Sequence, residues 1–147
     1  MNDIVSFRTR TLLTQSLRAV QSGQERIELA LGTSLARSER DPELSDTPDI
    51  IAAILLNFLI EQVRHVTETG EPRKLDLHRA EHRLHGIDGR HYSRFGDMLV
   101  PVLRDTLGPS HPRATAVAWS DAFWAVVQQL RQDRPPSALS RVAEAVA

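Results

Sequence analysis

The sequence predicts an all-α domain of six to seven helices, and three observations carry that prediction. Apolar residues recur at spacings of three and four in one segment after another, the period of a helix that buries one face. No stretch alternates apolar and polar residues between turn residues, as a half-buried strand would. Helix start and stop residues punctuate the chain at Thr47-Pro48, Gly70, Gly86, Asp88, Gly108 and Pro135-Pro136.

The first helix is expected over about Ile4 to Val20, with Leu13, Leu17 and Val20 on one face and Ser22-Gly23 after it. A second, about Glu25 to Arg37, spaces Ile27, Leu31 and Leu35 one turn apart. The polar stretch Ser38 to Thr47 is a loop that ends in a helix start, with Thr47 as cap, Pro48 in the first position and Asp49 in the first turn. The third helix, Pro48 to Val66, is apolar nearly all round through Leu59 and therefore belongs between other helices. Gly70, Pro72 and Arg73 break it. A short helix comes next over Leu75 to Leu84 and stops at Gly86. Asp88 caps the next, Gly89 to Leu107, which Gly108 ends; Ser110 and Pro112 open a last helix running to about Gln132. Residues 1–134 thus form one domain, and 135–147 a weakly amphipathic tail.

A chain of 147 residues suits a single core. With 18 Lys+Arg against 19 Asp+Glu it has no net field to gather phosphate backbones, so nucleic acid is not expected as a partner. The absence of cysteine excludes disulfides, thiolate catalysis and thiolate metal ligation. The N-terminus lacks a signal-peptide apolar run, and the longest uninterrupted apolar stretch, Ile50 to Leu56, is short for a membrane span. A cytoplasmic protein without membrane contact is the expectation.

Chemistry concentrates in the histidines. Of six, His78, His82 and His85 fall at i, i+4 and i+7, on one face of the short helix. Solvation or local hydrogen bonding is the ordinary fate of any one of them. His78 to His82 also spell H-x-x-E-H, the zinc motif of inverted metalloproteases. Those enzymes need a third ligand on another helix and a cleft that aligns an extended peptide, and a small helical chain is expected to offer neither.

The residues after the cluster are more specific. His82 is followed five residues on by Ile87 and ten on by Tyr92, then by Phe95, Gly96, Leu99 and Leu103. Further along come Leu107-Gly108 and Ala118-Trp119-Ser120-Asp121-Ala122-Phe123. This ordered set, from about Leu75 to Leu130, resembles the proximal half of bacterial globins and of the globin domains of flavohaemoglobins. The front half is similar only in outline: Asp41-Pro42-Glu43-Leu44 resembles the segment after the second helix of those domains, and the apolar helix around Leu56-Asn57 their distal helix.

The resemblance implies a globin-like fold that holds haem (iron protoporphyrin), with His82 as the proximal iron ligand. Tyr92 matches a proximal tyrosine that tunes that histidine, and Ile87, Phe95 and Leu99 would wall the macrocycle. Ile51 and Leu55 fall at distal positions over the iron, and Ser34 at the pocket-facing position of the second helix. Trp119 and Phe123 read as core. Ile51 and Leu55 offer dispersion but no hydrogen bond, so an apolar pocket would favour NO or CO over O2. The implied function is binding of a diatomic gas for sensing, carriage or NO detoxification, the last with a separate reductase, and an apolar face over Ala118 to Val127 would permit a homodimer. Three features depart from the family: no aromatic residue lies between Gly23 and Asn57, where it has a corner phenylalanine, the loop after the second helix is shorter than in flavohaemoglobins, and the acidic partner expected near Tyr92 reduces to Asp133. A haem enzyme of specialised metabolism and a haemless globin-fold signalling or interaction module therefore remain as alternatives.

Overall fold

The structure, a computed structural model, describes residues 5–38, 47–71 and 73–132. Among them the chain forms six α-helices and no strand: α1 (Phe7–Ser22), α2 (Gln24–Ser38), α3 (Pro48–Thr69), α4 (Asp76–Leu84), α5 (Gly89–Leu107) and α6 (Arg113–Gln132). The segment 41–44, Asp133 and the tail 135–147 lie outside the described residues.

The boundaries follow from local chemistry. α1 begins three residues later than the apolar pattern suggests, because the Ser6 hydroxyl accepts the Thr9 N–H at 3.1 Å and fixes the start. α3 runs three residues beyond Val66, to Thr69. Its stop is Gly70, in the left-handed region at φ 83°, whose N–H donates to the Val66 carbonyl at 2.7 Å. α5 passes through Pro101 intact; the proline is exposed, so the hydrogen bond it forfeits lies on the wet side of the helix.

α3 is the central element, packed by α1 and α2, while α5 lies against both α2 and α6, and α1 closes onto α6. Leu13, Ile27, Leu31, Leu55, Leu59 and Leu99 are fully buried where these helices meet. Trp119 and Phe123 are core residues, as expected: the Trp119 indole N–H donates to the buried Ser16 hydroxyl at 2.8 Å, tying α6 to α1. Ala118, Ala122, Val126 and Val127 are likewise buried within the chain, so the apolar face of α6 is used internally. The expectation that no segment is long and apolar enough to span a membrane needs correcting: α3 meets that criterion by length and composition, because Asn57 and Glu61 interrupt its apolar run without offsetting it. More than half of its apolar window is buried by other helices, as a core helix requires.

α4 is the helix that the others approach least. Side chains hold it. The Arg79 guanidinium donates twice to the Leu130 carbonyl, at 3.0 and 2.8 Å, clipping α4 to the end of α6.

Candidate metal centre

The turn from α4 to α5 positions the site. Gly86, at φ 71°, takes the left-handed conformation; its N–H donates to the Arg83 carbonyl at 3.1 Å, and the Ile87 N–H donates to the His82 carbonyl at 2.8 Å. Together these bonds form a Schellman stop. Asp88 then starts α5, accepting the Arg90 N–H at 3.0 Å, while the Asp88 N–H donates to His91 Nδ1 at 3.0 Å. Tyr92 lies one turn into α5, and its hydroxyl reaches His82 Nδ1 at 2.7 Å. The ten-residue spacing of His and Tyr is thus the length of one Schellman stop plus one capped turn.

His82 is 2 % exposed. Its other nitrogen, Nε2, is buried and has no hydrogen-bond partner. Burial, aided by the nearby His78 and His85, lowers the His82 pKa to about 4, so the ring is neutral at physiological pH. Burial likewise raises Tyr92 to about 12 and keeps it a phenol; the nearby Arg131 and Arg79 pull the other way and are outweighed. When Nδ1 carries the ring proton and donates it to Tyr92, Nε2 presents a bare lone pair, which is the state a metal ligand needs.

The ring contact that α3 makes with His82 involves a residue the sequence did not single out. From α3, the ring that meets His82 edge-on is Phe58, with centroids 4.9 Å apart and planes at 84°. Phe58 packs against His78 at the same separation. Ile51 and Leu55 lie two turns and one turn before Phe58 on the same helix and are buried, as are Ile87, Phe95 and Leu99. Phe95 is directed to α6, stacking with Phe123 at 4.8 Å. Ser34, on α2, is half-buried. His85 is the cap residue beyond Leu84, and with His78 it lies near enough to His82 to act on its charge. Phe58 was legible as part of an apolar stripe with Ile51 and Leu55, but nothing in the sequence aimed it at His82.

An iron porphyrin needs a donor and a slot. The donor fits: a neutral buried imidazole with a free Nε2 and a fixed Nδ1. The slot is closed in this conformation, since Ile51, Leu55, Phe58, Phe95 and Leu99 are each 1 % exposed or less. Admitting the macrocycle requires the Phe58 ring to turn away from His82.

A second set of donors adjoins the first. His78, Glu81 and His82 each offer a ligand atom within 4.8 Å of the others. Glu61, on α3, adds its Oε2 at 3.5 Å from His78 Nε2, while the Arg73 guanidinium holds Oε1 at 2.6 Å. The carboxylate that approaches the H-x-x-E-H residues from another helix is thus Glu61, in contact with His78. Its signal was only positional, since Glu61 sits one turn after Asn57 on an otherwise apolar helix. Glu61, His78 and Glu81 line a surface cleft of about 630 Å3 with Arg73 and Lys74. No family model, curated protein or solved structure matches this chain.

Proposed function

We propose that this chain is a globin-class domain that binds haem through His82 Nε2 and presents the iron to a diatomic gas. The observation that carries the reading is the buried, partnerless Nε2 of a histidine whose Nδ1 is held by a tyrosine. A buried polar atom left without a partner costs about 1–3 kcal/mol, and a bond to iron would remove that cost. Haem, when bound, supplies an open iron face for NO, CO or O2.

The chain's own residues do the rest. Tyr92 fixes the imidazole tautomer and orientation from α5. Burial keeps His82 unprotonated and therefore able to ligate. Ile51 and Leu55 supply only apolar surface on α3, so the reading carries a preference for NO or CO over O2. α4, nine residues long and held by side chains, yields more readily than any helix of the core, which gives Phe58 room to turn.

A specific observation favours a second reading, that of a haemless globin-fold signalling or interaction domain: Phe58 fills the space beside His82. One experiment separates the two. Absorption spectra of the full chain with added haem are recorded for wild type, His82→Ala and Phe58→Ala, in ferric, reduced and CO-bound forms. The haem reading expects a Soret band in wild type that is lost or shifted in His82→Ala, and faster uptake by Phe58→Ala. Failure of wild type and Phe58→Ala alike to take up haem establishes the haemless reading.

A further inference from the structure

We infer that His78, Glu81 and His82 of α4, together with Glu61 of α3, form a binding site for a divalent transition-metal ion of the zinc type. Three donors converge on α4, and a carboxylate from α3 approaches one of them. His78 and His82 stand one turn apart and Glu81 between them, so all three project from one face of α4. Their donor atoms lie within 4.8 Å of one another. Glu61 crosses from α3 to within 3.5 Å of His78 Nε2. Ligands placed at about 2.0–2.2 Å around a tetrahedral zinc ion are themselves about 3.4 Å apart, so this pair already has the spacing that a shared ion imposes.

A second observation points to a ligand. His82 is only 2 % exposed, its Nδ1 is occupied by Tyr92, and its remaining nitrogen has no partner in the protein. An ion bound there satisfies that atom and replaces a plain His78–Glu61 contact with a metal bridge. The donor chemistry is also matched in charge, because two carboxylates and two imidazoles neutralise a dication without residual charge. Arg73 is a positioning residue: it grips Glu61 through Oε1 and leaves Oε2 facing His78. The cleft of about 630 Å3 beside Glu61, His78 and Glu81 gives the ion a path from solvent.

The site shares His82 with the proposed haem site but does not need haem, so the test uses the haem-free full chain, stripped with a chelator and titrated with Zn2+ by calorimetry and with Co2+ by visible absorption. One equivalent of Zn2+ is expected, with Co2+ bands of four-coordinate intensity. Glu61→Gln, which preserves shape at a partly exposed position, and His78→Ala are each expected to weaken binding by at least tenfold, on the order of the loss that disturbing a metal site produces. His111→Ala, in the turn before α6, is the control and should leave affinity unchanged. Circular dichroism of each variant establishes that it is folded, and Glu61→Asp, which keeps the carboxylate, should recover part of the affinity. Two results overturn the proposal: no saturable uptake by wild type at micromolar Zn2+, or uptake that Glu61→Gln and His78→Ala leave at the wild-type affinity.

Discussion

At the scale of the residue, His82 is a base kept from its proton. In the unfolded chain it titrates near 6.5, and in the folded, metal-free chain burial lowers that to about 4. Between these values the unfolded state binds a proton that the folded state refuses, so stability falls as pH drops from about 6.5 and levels off below about 4. At full strength a displacement of this size is worth about 3 kcal/mol. Denaturant unfolding of the metal-free chain should show that loss between pH 7 and 4, and His82→Leu should flatten the profile in this window; an equal slope in both proteins would assign the loss to other groups. The pairing of His82 with Tyr92 was expected only from the family resemblance, and it rests on chain-local geometry, a glycine stop and an aspartate cap over ten residues. The Phe58 contact was not legible, since it depends on how α3 rotates against α4, and a stripe of apolar residues at helical spacing specifies a buried face without specifying its partner.

At the scale of the element, the helices with chemical punctuation are those the sequence placed best. α5 was delimited by Asp88 and Gly108 and runs between them, and α3 starts at Pro48 as its cap residues predict, whereas the start of α1 and the end of α3, set by apolar periodicity, each shifted by three residues. Periodicity fades wherever a helix continues beyond the core, as α3 does past Val66; the cap residue marks the true end. α5 also shows how one small residue sets a helix pair. Gly96 is buried, and a Cβ placed on it would run into the Trp124 indole of α6, so the two helices approach as closely as they do only because that position lacks a side chain. Alanine is the better helix former by about 1 kcal/mol, yet overpacking at such a contact costs about 1–3 kcal/mol. Gly96→Ala is therefore expected to be destabilising by about 1 kcal/mol in chemical denaturation, and Gly96→Ala combined with Trp124→Leu to recover most of that loss. A single variant at or above wild-type stability would show that the indole moves aside freely.

At the scale of the whole molecule, one nitrogen serves two proposed ligands. The iron of haem and the smaller ion would both take His82 Nε2, and on these proposals they ask opposite things of the fold. The ion would draw α4 onto α3 through Glu61 and His78, in the closed arrangement with Phe58 packed against both histidines. Haem requires the Phe58 ring to leave that position. Occupancy is thus exclusive, and by linkage each ligand lowers the apparent affinity for the other by the fraction of chain it withdraws. With Zn2+ at roughly ten times its dissociation constant about a tenth of the chain stays competent for haem, and the growth of the Soret band after haem addition should slow about tenfold. Glu61→Gln, which weakens the ion and leaves His82, Tyr92 and Phe58 in place, should restore the metal-free rate in the presence of Zn2+. Equal rates with and without Zn2+ in a wild-type chain shown to bind both would mean that the ion rests on Glu61, His78 and Glu81 alone, and that α4 opens for haem with the ion in place.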